Sequence, residues 1–249
     1  MKKEYLIPLF ILVFFLPLTF FLIFSTSYQP KIITKYIIFN VSNFTYHQVE
    51  IKIPAISSMD GEEKGVITRL KVQVIPGEGR TLTNIENLLF WIDTQYSIRT
   101  AKKVAERIVG INTSKLDFIY TIETNASIIE GPSAGAALTV ATIAALEGKS
   151  INQSVVITGT INEDGSIGKV GGISEKGKAA KEANATLFLV PKGQGKIIEY
   201  VPQTECRKFR VLTICETKYE RKLVDISKEI GIEVREVGTI EEALNYFFS

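Results

Sequence analysis

The sequence predicts a mixed α/β domain standing behind one N-terminal membrane-spanning helix. Three observations predict it: an uncharged apolar run from Leu6 to Phe24, period-two segments downstream of it, and intervening segments whose apolar residues recur every three to four positions. Of 249 residues, 45% are hydrophobic and 22% charged, enough to bury one full-sized core, so we read one folded domain. Formal net charge is only +2, and no Lys/Arg block is interleaved with aromatics. The electrostatic footprint of a nucleic-acid binder is lacking, and nucleic acid is not expected as a partner.

The run from Leu6 to Phe24 holds nineteen residues. At about 1.5 Å per residue it just spans a hydrocarbon core of about 30 Å, and it is longer than the apolar region of an ordinary signal peptide. Residues 1–27 therefore read as a signal anchor, with membrane contact through residues 6–24. Cleavage near Ser25-Thr26-Ser27 is the competing reading. Lys2 and Lys3 precede the run and Lys31 and Lys35 follow it, so the positive-inside bias is weak. Asn-x-Ser/Thr triplets at Asn40, Asn43, Asn112, Asn125, Asn152 and Asn184 favour an extracytoplasmic domain. Cys206 and Cys215 either close a small loop in an oxidising compartment or remain reduced thiols, and a lone pair cannot make a zinc site.

Residues 28–59 form a linker and lead-in strand, with alternation clearest from His47 to Ile53. Met59 to Gly65 is a polar turn, and Val66 to Ile75 alternates as a strand until Pro76-Gly77-Glu78-Gly79 breaks it. A helix follows from about Ser97 to Val109, with Ile98, Ala101, Val104, Ala105 and Ile108 on one face and Gly110 as its stop. Phe118 to Glu123 reads as a strand. From Glu130 a second helix opens and runs to about Glu147, with Pro132 near its first position and Gly148 closing it. A third follows Gly171-Gly172 and extends to about Ala183.

Chemistry concentrates at the starts of the last two helices. Ser133 lies at a helix N-terminus, where backbone N–H groups and the helix dipole favour the developing charge of an acyl-transfer oxyanion. Serine is equally a preferred helix cap, and local sequence leaves both roles open. In the third helix Ile173, Lys176, Gly177 and Ala180 share one face, opposite Glu175, Lys178 and Glu182, so Lys176 is the one charge on the apolar side. Burial lowering its pKa from about 10.4 to near 8 would take on the order of 3 kcal/mol, and the neutral amine could accept a hydroxyl proton. The alternative is a lysine whose stem is covered while its ammonium reaches solvent. His47 is the only histidine and lies in the lead-in strand, so it reads as structural, and a Ser-Lys pair is the natural route to an activated hydroxyl.

In order and spacing, Glu130-Gly131-Pro132-Ser133-Ala134-Gly135, Val156-Ile157-Thr158-Gly159, the hairpin at Gly165, Gly171-Gly172-Ile173-Ser174-Glu175-Lys176 and Leu187-Phe188-Leu189-Val190-Pro191 resemble the Lon protease proteolytic domain. The resemblance implies a fold of several small sheets with flanking helices over residues 60–249, with an insertion at about 196–228. It implies Ser133 as the nucleophile that attacks a peptide carbonyl and Lys176 as general base. Thr158 would hold the lysine amine through its hydroxyl. Glu130 would stand as an acid at the lip of the site, or simply complement the helix N-terminus, with Gly131 and Ala134 flanking the nucleophile.

No G-x-x-x-x-G-K-[ST] occurs in the 249 residues. An ATP-independent peptidase acting on peptides or unfolded polypeptides is therefore expected, with no cofactor and no metal. Six-membered rings in the family make a homo-oligomer possible. A catalytically idle module used for binding or assembly at the membrane is the competing function.

Overall fold

The computed structural model describes residues 46–59, 62–84, 92–123, 131–210 and 212–248. The apolar run, Glu130, and the Asn40, Asn43 and Asn125 triplets lie outside them. Among the described residues no helix is long and apolar enough to cross a membrane.

Long alternation produces long strands. β1 (His47–Met59) and β2 (Glu62–Pro76) pair antiparallel in unbroken register from His47↔Val74 to Met59↔Glu62. Val49, Ile51 and Ile53 of β1 and Leu70, Val72 and Val74 of β2 are buried on one face, which is what a sheet with one wet side requires. β3 (Thr81–Asn84) and β4 (Leu116–Glu123) complete this sheet in the order β1-β2-β4-β3, with only β3 and β4 parallel.

Two expectations change here. The lead-in strand is a full member of the main sheet, because its apolar face has β2 and a helix to bury against, so the division drawn at residue 60 moves ahead of His47. Of the polar turn expected over 59–65, Met59 and residues 62–65 belong instead to the paired strands, up to Met59↔Glu62.

α1 (Ile92–Val109) starts five residues ahead of the expected Ser97 and buries Ile98, Ala101, Val104 and Ala105. It packs on α2 (Gly135–Glu147), which is buried on every side from Gly135 to Ala145 and lies against β1 and β2. A helix covered all round has little use for amphipathic patterning. Its alanines let neighbouring elements approach closely.

A second sheet, wholly parallel, has the order β11-β8-β5, formed by β5 (Val155–Ile157), β8 (Leu187–Pro191) and β11 (Glu233–Val237). β6 (Thr160–Ile161) and β7 (Ile167–Gly168) make a short ribbon, the expected hairpin at Gly165. α3 (Ile173–Glu182) packs on β1, β2 and α4 (Ile226–Ile230), burying Ile173 and Ala180 with Phe188, Val190, Ile226 and Ile230 in a second apolar cluster. α5 (Ile240–Phe247) ends the described chain, capped by Thr239, whose hydroxyl accepts from the Glu242 amide at 3.3 Å.

The stretch expected to be an insertion holds a two-stranded antiparallel ribbon, β9 (Lys196–Phe209) and β10 (Leu212–Asp225). It ends at Asp225 rather than 228, because Ile226 and Ile230 of α4 are buried in the second cluster and belong to the body of the domain. Cys206 and Cys215 face each other across the ribbon and are disulfide-bonded. The mixed α/β architecture with several small sheets is as expected.

Candidate active site

The segment before α2 is built to hold a serine without using its hydroxyl. Gly131 has φ 96° and ψ 162°, a conformation costly for any residue with a Cβ. Pro132 then opens a 3-10 turn, Pro132–Ala134, that leads into α2. Ala134 occupies the cap position of α2, and no side chain caps either the turn or the helix. Ser133 therefore does not spend its hydroxyl on capping either element.

The far side of the turn is clasped by the strand end at Thr158-Gly159. The Gly159 amide donates to the Ser133 carbonyl at 3.0 Å, and the Gly159 carbonyl accepts from the Ala136 amide at 3.0 Å. Thr158 is fully buried, and its hydroxyl donates to the same Ser133 carbonyl at 3.4 Å. That contact uses the donor of the Thr158 hydroxyl and leaves its acceptor lone pairs free. The amide of Gly135 is bound to the Pro132 carbonyl and that of Ala136 to Gly159, so those two helix-start donors are already engaged.

Lys176 lies in the first turns of α3, its amide donating to the Gly172 carbonyl at 3.0 Å. The buried face of α3 holds Ile173, Lys176, Gly177 and Ala180, as the helical wheel predicts, and also Ser174 and Ala179. Lys176 is only 4% exposed, so its ammonium does not reach freely into solvent. No acid among the described residues is paired with it, and burial alone lowers its pKa to about 8. On the neighbouring side, Ser174 Oγ donates to Glu229 Oε2 at 2.5 Å and Lys178 Nζ lies 2.8 Å from Glu229 Oε1, tying α3 to α4. Glu229 was not legible as part of this arrangement, since only folding brings it to a helix 55 positions earlier in the chain.

The structure thus joins Ser133, Thr158 and Gly159 directly and buries Lys176 on α3. Among the described residues no hydrogen bond links the Ser133 and Lys176 side chains. A hydroxyl free of capping duty and an amine able to lose its proton near neutral pH are the components of nucleophilic acyl transfer. His47 stands apart, with Nδ1 3.0 Å from the Ala145 carbonyl near the end of α2, a structural contact. Of the described glycosylation triplets, Asn112 and Asn184 are exposed, whereas Asn152 is half-buried with its carboxamide accepting from Ser154.

Residues 99–224 match the Lon protease (S16) C-terminal proteolytic domain. Similar proteins include Lon protease of Vibrio parahaemolyticus, 27% identical over 61% of this chain and 20% of its own length. The archaeal Lon protease of Archaeoglobus fulgidus is 24% identical over 69% of this chain and 30% of its own. Lon protease 1 of Bacillus subtilis is 33% identical over 54% of this chain and 18% of its own. The chain spans less than a third of the length of these relatives.

Proposed function

Because the chain belongs to the Lon protease (S16) C-terminal proteolytic domain family, we propose that it is a membrane-tethered, ATP-independent serine endopeptidase with Ser133 as nucleophile and Lys176 as general base. The observation that carries this reading is the state of Lys176: buried, without an acidic partner among the described residues, and with a pKa lowered to about 8. A lysine kept only for the fold would be held at such a place against its burial cost. One that must be neutral to work benefits from that cost.

In this mechanism Ser133 Oγ attacks the substrate carbonyl while Lys176 Nζ takes the hydroxyl proton. The amine then returns that proton to the departing nitrogen, leaving an acyl-enzyme that water hydrolyses with the lysine again as base. Thr158 and Gly159 hold the serine backbone in place through its carbonyl. With the Gly135 and Ala136 amides engaged, the oxyanion is assigned to the start of the 3-10 turn ahead of them. Glu130 is proposed at the lip of the site.

Tethering is supported by the nineteen-residue apolar run, and an extracytoplasmic domain by the disulfide and by the exposure of Asn112 and Asn184. Unfolded polypeptides and peptides are the proposed substrates, since the chain carries no P-loop motif with which to drive unfolding.

The test is cleavage of a disordered protein by the full chain in detergent micelles, without ATP, for the wild type, Ser133→Ala and Lys176→Ala. Cleavage by wild type alone is expected. Undiminished cleavage by either variant would remove that residue from the mechanism, and an inert wild type that still binds the substrate would favour the idle binding module.

A further inference from the structure

The β9–β10 ribbon leaves the body of the domain soon after it begins. Ile197 and Val224 rest against the second apolar cluster, but every described residue from Pro202 to Leu223 is exposed. Fourteen paired positions at about 3.3 Å each give a ribbon about 46 Å long. Isolated two-stranded ribbons are marginal in water, and this one carries a disulfide near its end. Its apolar content is on the outside: Phe209 and Leu212, paired at the tip, are 59% and 58% exposed, and Ile214 is 53% exposed. Of the eight residues between the cysteines three are cationic, Arg207, Lys208 and Arg210, and none is acidic.

Large apolar side chains gathered at one exposed place mark a contact surface, and the cations among them say which kind. We propose that the ribbon is a second membrane contact, its tip seated in the interface of an anionic bilayer with Phe209 and Leu212 at the apolar boundary and Arg207, Lys208 and Arg210 on headgroup phosphates. Apolar side chains bracketed by Lys and Arg suit that boundary, where each cation adds electrostatic attraction to anionic lipid. Pairing within the ribbon satisfies about half of its backbone groups, and a tip seated in the interface keeps the outward-facing half within reach of water and headgroups. A second copy of the chain is a poorer occupant, since a symmetric tip-to-tip contact would set three cations against three. Proximity rests on the tethered reading: residues 25–45, even fully extended, reach no more than about 75 Å from the apolar run.

The experiment uses the full chain with Trp91, its only tryptophan, replaced by Phe and a reporter introduced as Leu212→Trp. It is reconstituted into phosphatidylcholine vesicles with or without phosphatidylglycerol, all carrying brominated acyl chains. Quenching of the reporter by the brominated lipid in the anionic vesicles, weaker in the neutral ones and weakened by salt, is expected. Replacing Arg207, Lys208 and Arg210 by Gln should lower the ratio of inserted to free tip on the order of 100-fold. Quenching of equal depth in both lipids would overturn the anionic assignment. A reporter open to aqueous acrylamide in anionic vesicles would overturn the contact altogether, as would protection accompanied by crosslinking between copies instead of lipid quenching. Flotation of the vesicles separately reads the N-terminal tether: if the chain does not float, the reporter still tests the tip against added vesicles.

Discussion

In the proposed mechanism, stability and chemistry are set against each other at Lys176. Its amine keeps a proton up to about 10.5 in the unfolded chain and up to about 8 in the folded one. Between those values the unfolded state binds the extra proton, so raising the pH stabilises the fold. Below about 8 both states are protonated and a constant penalty remains, on the order of 3 kcal/mol; above 10.5 it vanishes. Lys176→Met should therefore raise the Tm at pH 7, lose most of that gain near pH 10.5, and abolish peptide hydrolysis. Thermal unfolding of the wild type and variant across that range measures the first part. For the wild type, kcat/KM should climb about tenfold per pH unit below 8 and level off above it, the profile of a base that must be neutral. A pH-independent rate through this window would take the proton-acceptor role away from Lys176. Lys176→Arg should be inactive with the fold retained, because arginine does not deprotonate in proteins.

At the scale of elements, what matters is how α3 is seated. A Cβ built on Gly177 would lie 2.8 Å from Ile230 Cδ1 and 3.1 Å from its Cγ2, with Phe188 at 3.4 Å, so α3 and α4 touch through the missing side chain. Gly177→Val should cost about 1 to 3 kcal/mol of stability by overpacking, more than the modest gain from removing a helical glycine. Because Lys176 is the preceding residue, the same shift should lower kcat more than it changes KM, measurable on a short peptide substrate. The helix itself was readable from its Gly-Gly entry and its wheel, and it ends at Glu182, one residue before the expected Ala183. α2 illustrates the opposite case. Its stop at Gly148 was legible from capping chemistry, but its start at Gly135, its burial on every side, and the 3-10 turn from Pro132 that keeps Ser133 out of the cap position depend on elements far away in the chain.

At the scale of the whole molecule, a different buried charge contributes to stability at the acidic end. Asp117 is 1% exposed, and burial pushes its pKa up, but hydrogen bonds from the Arg80 side chain and from the Arg80 and Glu78 amides outweigh this and hold it below the usual carboxylate range. Its contribution is present above the unfolded value of about 3.8 and is lost as pH falls through the lower folded one. Asp117→Ala should destabilise the domain by about 3 kcal/mol, because it strands the Arg80 and Glu78 donors as well, and flatten the acid limb of its denaturation curve. From the sequence alone came the apolar run, the alternation of the strands, the amphipathic face of α3 and the residue types of a Ser-Lys pair, since each is a matter of local periodicity and side-chain chemistry. Tertiary structure decided what local rules cannot: that the lead-in strand belongs to the main sheet, that Thr158 serves the serine carbonyl, that Glu229 clamps α3, and that the two cysteines oppose each other across a projecting ribbon. These depend on contacts between residues distant in the chain, where burial and register outweigh the preferences of any single segment.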